Sequence, residues 1–369
     1  MSPGAKLQFA DSQNSSNMLY WSKIGVPDPF IAFEIEGKRT AVVNPLELEN
    51  MRQNSSFDEI INIDDILGLG KNCDPAKVIK TIGVRYDVSS WSVPYNFPVG
   101  LWKKLEAEGV NLSICTRECF IEERTIKSSA EIDYIKEACE ITAEGLALAQ
   151  SIIADSTIAS DGTLTSSGHR LTSDYVRREI EIGCAKNGAV AQNTIVSCGR
   201  HSAQPHNVGK GPLLANEFIV VDIFPRVRAT GYHGDMTRTF IKGTPSDSQV
   251  NLYNAVKKSQ ASSVEMVKAG VLGSDIHANN LTLFSELGFS TDTATAEGFF
   301  HGTGHGLGLD IHEFPGVGNT KTVLQNGMVI TLEPGLYYKD IGGVRLEDVV
   351  VVRETGCEML SNFNYNWVL

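Results

Sequence analysis

The sequence lacks any stretch of about eighteen uninterrupted apolar residues, which excludes an ordinary membrane-spanning helix. Its N-terminal stretch, MSPGAKLQFADSQNSS, has no apolar core of the secretory type, so no secretory signal is expected. Seven cysteines are scattered over 369 residues, an odd number without a paired spacing. This pattern is typical of reduced cytoplasmic proteins rather than of disulfide frameworks. Cys115 and Cys119, the closest pair, have no further zinc ligands adjacent in sequence and are expected to be structural.

Positive charge is also scarce, since 32 lysines and arginines face 44 aspartates and glutamates, for a net charge of −12. The long-range field of such a chain repels phosphate, which argues against a nucleic-acid partner or an anionic membrane surface. Hydrophobic residues at 42% and charged residues at 21% are typical of a globular protein. The length suggests two domains with a large core.

Residues 1–122 predict a small α/β domain, in which short strands alternate with helices. The apolar runs PFIAFEI, KRTAVVNP, KTIGVRYDV and VNLSICT predict the strands, and FPVGLWKKLEA predicts a helix. The domain clusters no metal-binding or nucleophilic side chains. This favours a structural or dimerisation role for it.

A domain boundary is expected near 122–127, just before a helix. Ser128 and Glu131 form the capping-box pattern that begins this helix, and its periodicity continues to about residue 153. Residues 155–171 are rich in serine, threonine and glycine and predict an exposed loop. Three later helices are predicted: from Thr172 or Ser173 to a stop at Gly188, over 247–269, and over 274–286. The stretches 190–242 and 298–368 predict strands and turns.

Four acidic residues lie inside stretches that otherwise predict buried strands: Asp222 in EFIVVDIF, Asp235 in GYHGDMTRTF, Glu333 in GMVITLEPGLYY and Glu347 in GVRLEDVVVV. A buried carboxylate is costly unless it is paired, protonated or bound to a metal. The stretch HGTGHGLGLDIHE at 301–313 adds three histidines. Carboxylates with an imidazole are ligands for harder divalent ions, and four carboxylates suggest two ions.

Strand periodicity in GVRLEDVVVV separates two adjacent acidic residues. Arg345 and Glu347 share one face of a regular strand, whereas Asp348 lies on the other. Glu347 and Asp348 therefore are not expected to reach the same site. Arg345 is expected to pair with Glu347 or with a carboxylate of the substrate.

The ordered motifs VVDIF, GDMTRTF, HGTGHGLGLDIHE, TLEPGLYY and GVRLED resemble the signature of the pita-bread metallopeptidases, which include methionine aminopeptidase, aminopeptidase P and prolidase. The resemblance covers about 123–369 closely and 1–122 less closely. It implies an α/β creatinase-like N-terminal domain at 1–122, followed by an α+β pita-bread catalytic domain at 123–369. It also implies a homodimer.

Carried over position by position, the resemblance implies five metal ligands for two divalent ions. Asp235 and Glu347 would bridge the ions, Asp222 would bind one of them, and His305 with Glu333 would bind the other. Manganese is the expected metal, with cobalt, zinc or iron as alternatives.

The resemblance also assigns side chains to catalysis and to the substrate site. His206, His301 and His312 fall where proline-directed members keep histidines that line this site. Arg345, which strand periodicity places beside Glu347, is added to the catalytic set. Glu333 would accept a proton from water and pass it to the leaving amine. His206 and His312 would stabilise the oxyanion and orient the substrate.

Other candidates in the sequence receive no such role. Asp310 and Glu313 are left out of the ligand set although they lie in the histidine-rich stretch. Of the remaining histidines, surface or supporting positions are expected for His201 and His233, and solvent-facing ones for His169 and His277.

The expected function is dinuclear metal-dependent hydrolysis of Xaa-Pro peptide bonds. An Xaa-Pro dipeptidase is favoured over an aminopeptidase P, which removes the residue before proline in longer peptides. The sequence departs from the family pattern in the hairpin that Pro225 and Arg226 lengthen and in the long 155–171 segment, and either departure is expected to reshape the substrate entrance. The altered hairpin keeps a hydrolase or lyase of a small non-peptide metabolite as a further alternative. A non-catalytic protein-binding module is the least favoured reading.

Overall fold

The computed structural model describes residues 4–67, 74–117 and 119–369. The chain divides into two compact units, Met1–Arg124 and Thr125–Leu369. Each unit encloses its own clusters of buried apolar side chains. Within the described ranges, no helix combines the length and the apolar character that a membrane crossing requires.

Six strands form one sheet in the first unit: β1 (Lys6–Ala10), β2 (Phe30–Ile35), β3 (Lys38–Val43), β4 (Glu59–Asn62), β5 (Trp91–Val93) and β6 (Leu112–Ile114). Their order is β4-β3-β2-β1-β5-β6, and β2 runs antiparallel to both of its neighbours. Side chains of β2 alternate between two cores: Ile31 and Phe33 belong to one, and Phe30 and Ala32 to the other. The sheet is therefore covered on both faces.

The helices of the first unit are α1 (Ser16–Ser22), α2 (Pro45–Asn54), α3 (Asp64–Leu67), α4 (Pro75–Arg85) and α5 (Val99–Ala107). The helix predicted from FPVGLWKKLEA is confirmed as α5. The strand predicted from KTIGVRYDV is wrong, because most of this run lies in α4. Asp74 caps that helix through the N–H of Ala76, and buried Val78, Ile79 and Ile82 recur at helical spacing.

Both closely spaced cysteines lie in the first unit. Cys115 packs against a core of that unit, and Cys119 Sγ lies 2.9 Å from the carbonyl oxygen of Ile121. Both contacts agree with the structural role expected for the pair. Cys73 lies outside the described residues.

The helices of the second unit are α6 (Ser129–Ala154), α7 (Ser173–Lys186), α8 (Asp247–Met266) and α9 (Gly273–Glu286). The predicted capping box is confirmed at α6: Ser128 Oγ accepts from the N–H of Glu131, and Glu131 Oε2 accepts from the N–H of Ser128. Glu131 Oε1 also accepts from Tyr232 Oη at 2.6 Å. The start of α6 is thereby fixed to the segment that precedes Asp235.

Short strands fill the rest of the second unit: β7 (Thr157–Ile158), β8 (Leu164–Ser166), β9 (His169–Arg170), β10 (Ala189–Val190), β11 (Ile195–Cys198), β12 (Ile219–Ile223), β13 (Arg226–Val227), β14 (Met236–Phe240), β15 (Gly304–Gly306), β16 (Glu313–Val317), β17 (Val329–Leu332), β18 (Gly335–Tyr338), β19 (Gly342–Arg345), β20 (Asp348–Arg353) and β21 (Gly356–Met359). Two main sheets have the orders β11-β12-β14 and β16-β15-β17-β20-β21. The pair β18-β19 forms a separate ribbon.

The loop predicted over 155–171 is wrong, because β7, β8 and β9 form a three-stranded sheet there. Asp161 Oδ1 accepts from the N–H and the hydroxyl of Thr163 and closes the first turn. Gly168 has a positive φ of 77° in the second turn. Strands of two or three residues are too short to show a hydrophobic period, and the turn residues dominate the composition.

The run GVRLEDVVVV is two strands rather than one. Strand β19 ends at Arg345 and β20 begins at Asp348, in different sheets. Between them, the N–H of Glu347 donates to the carbonyl oxygen of Thr237, on β14. Glu347 therefore lies in the connection between the β18-β19 ribbon and the main sheet that contains β20.

Candidate metal centre and active site

All nine residues singled out from the sequence line one cavity of about 1000 Å³ in the second unit: Asp222, Asp235, Glu333, Glu347, His206, His301, His305, His312 and Arg345. The acidic residues and His305 lie in or directly beside short strands. Asp222 lies within β12, Asp235 directly precedes β14, Glu333 directly follows β17, and His305 is the middle residue of β15. The sheets thus hold the acidic groups on short, rigid segments at one wall of the cavity.

His305 faces three of the four carboxylates. Its Nε2 lies 3.6 Å from Asp235 Oδ2, 3.6 Å from Glu333 Oε1 and 3.8 Å from Glu347 Oε1. Burial, reinforced by His312, lowers the pKa of His305 to about 3, so the ring is neutral. Its Nδ1 donates to the carbonyl oxygen of Gly306 at 3.2 Å, which leaves the Nε2 lone pair directed at the carboxylates. A lone pair and three anions in one place repel one another unless a cation lies between them.

The carboxylates also raise one another's pKa values. Burial raises the pKa of Asp235 and of Glu347 well above the usual range, and repulsion from the neighbouring carboxylates raises both further. Burial raises the pKa of Glu333 to about 7. A divalent ion relieves this repulsion, and its binding releases protons from the ligands.

Asp222 stands apart from that cluster, because it pairs with Arg345. Arg345 Nη2 donates to Asp222 Oδ2 at 2.7 Å, and both side chains are buried. The predicted pairing of Arg345 with Glu347 is wrong. The break between β19 and β20 removes the regular alternation on which it depended, and Glu347 Oε2 instead accepts from Thr237 Oγ1 at 2.8 Å.

The donor set fits a divalent metal ion. Four carboxylates and one neutral imidazole are a ligand chemistry of Mn²⁺, Co²⁺, Fe²⁺ and Zn²⁺. The buried Asp222 Oδ1 has no hydrogen-bond partner in the part of the chain that the structure describes. A buried anionic oxygen of this kind is costly without a cation to accept it.

Tyr337, which the sequence interpretation missed, joins Arg345 to His301. Arg345 Nη1 donates to Tyr337 Oη at 3.0 Å, and Tyr337 Oη donates to His301 Nε2 at 3.1 Å. His301 Nδ1 donates to the carbonyl oxygen of Gly302 at 2.7 Å, which fixes the tautomer. Burial raises the pKa of Tyr337 to about 12 and lowers that of His301 to about 4, so both are neutral.

A second buried ion pair supports the site from behind. Arg238 Nη2 lies 2.8 Å from Asp348 Oδ1, and Arg238 Nη1 donates to the carbonyl oxygen of Glu347 at 2.7 Å. Asp348 Oδ2 accepts from Gln260 Nε2 at 3.0 Å. Asp348 therefore does not reach the site of Glu347, as expected from the sequence, although the two residues do not share a regular strand. Its role in the fold is to hold the backbone that presents Glu347.

The remaining histidines occupy different environments. His169 is exposed, and His201 lies outside the catalytic cavity in an adjoining one. His233 is partly buried, and burial lowers its pKa to about 4. The solvent-facing position expected for His277 is wrong: it is half-buried on α9, with Nδ1 3.0 Å from Thr303 Oγ1.

The two departures from the family pattern contribute differently to the cavity. In the lengthened hairpin, β13 pairs with β10, and 155–171 forms the small β7-β8-β9 sheet. Among the described residues, the lining of the cavity includes none from 155–171, whereas the hairpin between Asp222 and Asp235 contributes Phe224. Glu313 forms an ion pair outside the carboxylate cluster: its Oε1 lies 2.7 Å from the buried Lys127 Nζ.

Comparison with known proteins agrees with this geometry. Residues 133–354 match the family described as metallopeptidase family M24. An Xaa-Pro dipeptidase of Pyrococcus horikoshii is 29% identical over 330 residues, covering 87% of this chain and 83% of the relative. An Xaa-Pro dipeptidase of Pyrococcus furiosus is 33% identical over 242 residues, covering 64% of this chain and 63% of the relative. The alignment with this second relative spans less than two thirds of its length.

Solved structures extend the comparison to the fold. The structure of an Xaa-Pro dipeptidase from Bacillus anthracis matches with a TM-score of 0.84 at 25% identity, covering 99% of this chain and 95% of that chain. This match confirms the predicted fold class, an α/β N-terminal part followed by a pita-bread part.

Proposed function

Because this chain belongs to metallopeptidase family M24 and is a metal-dependent peptidase, we propose that it hydrolyses Xaa-Pro dipeptides with two divalent metal ions. The observation that carries the proposal is the neutral His305, whose Nε2 faces Asp235, Glu333 and Glu347 within 3.6–3.8 Å. The names of the two Pyrococcus relatives support the proline-directed substrate. Manganese is the proposed metal, and a cytoplasmic homodimer is the proposed assembly.

The proposed ligands are Asp222, Asp235, His305, Glu333 and Glu347. Divalent ions held there would supply Lewis acidity, which polarises a carbonyl and makes water acidic enough to yield hydroxide near neutral pH. The Asp222 oxygen that has no partner among the described residues and the crowded carboxylates support this assignment. Asp235 and Glu347, each within the three-residue group with His305, are proposed as the shared ligands.

Glu333 is the proposed proton carrier. Its side chain is 21% exposed, against 4% for Asp235 and 2% for Glu347, so it is the member of the cluster that faces the cavity. From this position it would take a proton from the attacking water and deliver it to the proline nitrogen as the C–N bond breaks. The proline nitrogen is a poor leaving group as an anion, so it needs this proton to leave as an amine.

The histidines are proposed to hold the substrate in place. The His312 ring stands edge-on to the His305 ring at 4.2 Å, and His206 is exposed at the cavity wall. Both would donate to the oxygen that becomes negative during the reaction. Arg345 and Tyr337 would fix the His301 ring, so that the proline ring meets a rigid wall.

Residues 1–122 are proposed as a creatinase-like domain with a structural or dimerisation role. The division of the chain into compact units at Arg124 supports this boundary. The metabolite alternative rested on the altered hairpin between Asp222 and Asp235, of which Phe224 lines the cavity. The names of the relatives favour the proline dipeptidase over this alternative.

The proposal is tested with purified, Mn²⁺-loaded protein. We expect release of proline from Ala-Pro and Gly-Pro, and no comparable release of alanine from Ala-Ala. Free proline is measured by chromatography over a time course. The assay is repeated with Co²⁺, Zn²⁺ and Fe²⁺ in place of Mn²⁺. If neither proline dipeptide is cleaved with any of these four metals, the proposed function is wrong.

Replacing Tyr337 by phenylalanine is expected to lower kcat/KM for Ala-Pro by roughly tenfold, the scale of one hydrogen bond to a charged group. The hydroxyl that joins Arg345 to His301 disappears, while the buried ring remains. Tyr338→Phe is the matched control, since its hydroxyl accepts from the N–H of Ser290 instead. kcat/KM for Ala-Pro is measured for both variants by steady-state kinetics. An equal loss of kcat/KM in the two variants would argue against a role for the hydroxyl that joins Arg345 to His301.

A further inference from the structure

The second unit contains a buried ion pair that the proposed reaction does not use. Lys127 Nζ lies 2.7 Å from Glu313 Oε1, and the two side chains are 1% and 10% exposed. Neither residue lines the catalytic cavity, and neither belongs to the proposed metal ligands. A buried ion pair gains little stability over apolar side chains of similar volume, because both charges lose their hydration. Stability alone therefore does not account for the pair.

The backbone around Lys127 is fixed on both sides. The N–H of Lys127 donates to the carbonyl oxygen of Gly327 at 2.9 Å, and the next residue, Ser128, is the N-cap of α6. This helix has 26 residues, and its first turn is closed by the capping box. The ammonium group is thus attached to a rigid element, which makes it a firm anchor for the carboxylate that it binds.

The Glu313 carboxylate closes the turn that carries His312. Glu313 begins β16, which pairs with β15, so residues 307–312 connect two adjacent strands. Glu313 Oε2 accepts from the N–H of Asp310, within this turn, at 3.3 Å. A Cβ placed on Gly308 would lie 2.5 Å from Glu313 Oε1, so the carboxylate packs directly against the backbone there. One carboxylate therefore contacts the turn at two points.

His312 depends on this turn for its position. Its ring has no hydrogen-bond partner among the residues that the structure describes, and it stands edge-on to the His305 ring at 4.2 Å. A ring without such a partner takes its position from the backbone that carries it. Because the proposed function places His312 at the oxyanion, a shift of about 1 Å in the turn is expected to cost up to about 100-fold in rate.

We infer that Glu313, anchored by Lys127, is a positioning residue that holds His312 toward the reacting carbonyl group. This inference rests on the proposed function, in which His312 donates to the oxyanion. Lys127 binds the carboxylate, the carboxylate binds the turn, and the turn presents the imidazole at the cavity wall. Neither charge lines the cavity. The pair therefore acts on kcat through His312, and not on the binding of metal.

The double variant Lys127→Met/Glu313→Leu removes both charges together, so that no unpaired charge is left buried. In the Mn²⁺-loaded protein, kcat for Ala-Pro is expected to fall roughly tenfold, the scale of one hydrogen bond to a charged group. KM and the amount of bound Mn²⁺ are expected to stay close to the wild type. In a His312→Ala background, the same double change is expected to lower kcat no further, because the side chain through which it acts is absent.

The matched control is Arg353→Met/Glu358→Leu, which makes the same kind of change at an exposed ion pair. It is expected to leave kcat unchanged. A purely structural role of Lys127 and Glu313 would lower kcat by the same factor with and without the His312 side chain.

Gly308→Ala tests the same contact without changing any charge. The added methyl group is expected to displace the Glu313 carboxylate and to lower kcat, again only when His312 is present. Gly316→Ala is its control, because the nearest atom to the added Cβ lies at an ordinary contact distance of 3.6 Å. These two single variants decide the question if the double variant does not fold.

Hydrogen exchange of the segment 307–312, followed by mass spectrometry, gives a readout that does not depend on catalysis. Exchange is expected to be faster in Lys127→Met/Glu313→Leu and in Gly308→Ala than in the wild type and both controls. If the wild type cleaves Ala-Pro but these variants keep its exchange and its kcat, the positioning role is wrong. The same holds if the loss of kcat does not depend on His312. If the wild type cleaves no proline dipeptide, the proposed function is wrong, and this inference with it.

Discussion

Replacing Glu333 by glutamine is expected to lower kcat for Ala-Pro by about 10²–10⁴-fold, the usual contribution of a positioned acid–base group. Glutamine keeps the size of the side chain and an oxygen that faces His305, but it cannot take up and deliver a proton. The carboxylate that lies 3.6 Å from His305 Nε2 and faces the cavity is thereby removed as a proton carrier. Turnover is measured at saturating Mn²⁺, with bound metal determined by elemental analysis.

Glu354→Gln is the matched control, because this exposed residue lies outside the cavity lining. It is expected to retain kcat within twofold. If Glu333→Gln retains kcat within tenfold while holding the same amount of metal as the wild type, the proton transfer belongs to another group. His206 and His312 would then be the first residues to test.

The variant Arg345→Met is expected to lower the free energy of unfolding of chelator-treated protein by about 3–5 kcal/mol, the usual cost of removing one partner of a buried ion pair. Arg345 is buried and donates to Asp222 Oδ2, Tyr337 Oη and Thr237 Oγ1. Without it, Asp222 remains buried and unpaired beside three more carboxylates. Urea unfolding followed by circular dichroism gives the free energy.

The control for Arg345→Met is Arg353→Met. Arg353 pairs with Glu358 at the surface, where its side chain is 40% exposed, and such pairs contribute at most about 1 kcal/mol. Added Mn²⁺ is expected to stabilise the Arg345 variant as well as the wild type, because an ion that binds only the folded state raises its stability. Equal destabilisation by the two variants would show that the Asp222–Arg345 pair has no special role in the fold.

Local sequence rules predicted the longer helices of the second unit well. The capping box of Ser128 and Glu131 begins α6, and Gly188, with a positive φ of 77°, follows the end of α7 as predicted. The rules were wrong where polar turns or short elements intervened. The strand predicted from KTIGVRYDV is part of helix α4, because Asp74 and Pro75 begin a helix just before it. The 155–171 sheet consists of strands too short to carry a period.

The candidate site was predictable mainly because carboxylates in buried strands are expensive. Asp222, Asp235, Glu333 and Glu347 stand out for that reason, and all four line the same cavity. The ion-pair and hydrogen-bond partners of these residues were harder to predict from the sequence. Arg345 pairs with Asp222 rather than with Glu347, because a break between two sheets is invisible in a run such as GVRLEDVVVV. The hydroxyl of Tyr337 and the half-buried position of His277 depend on tertiary contacts that sequence periodicity does not contain.

The most direct test of the central claim is a titration of chelator-treated protein with Mn²⁺, in which bound metal and Ala-Pro hydrolysis are measured on the same samples. The account predicts no hydrolysis without metal and maximal hydrolysis at two ions per chain. Asp235→Asn, which removes a proposed shared ligand, is expected to bind fewer ions and to stay inactive at the same Mn²⁺ concentration. Full activity in the chelated protein, or maximal activity at a single ion per chain, would contradict the dinuclear site.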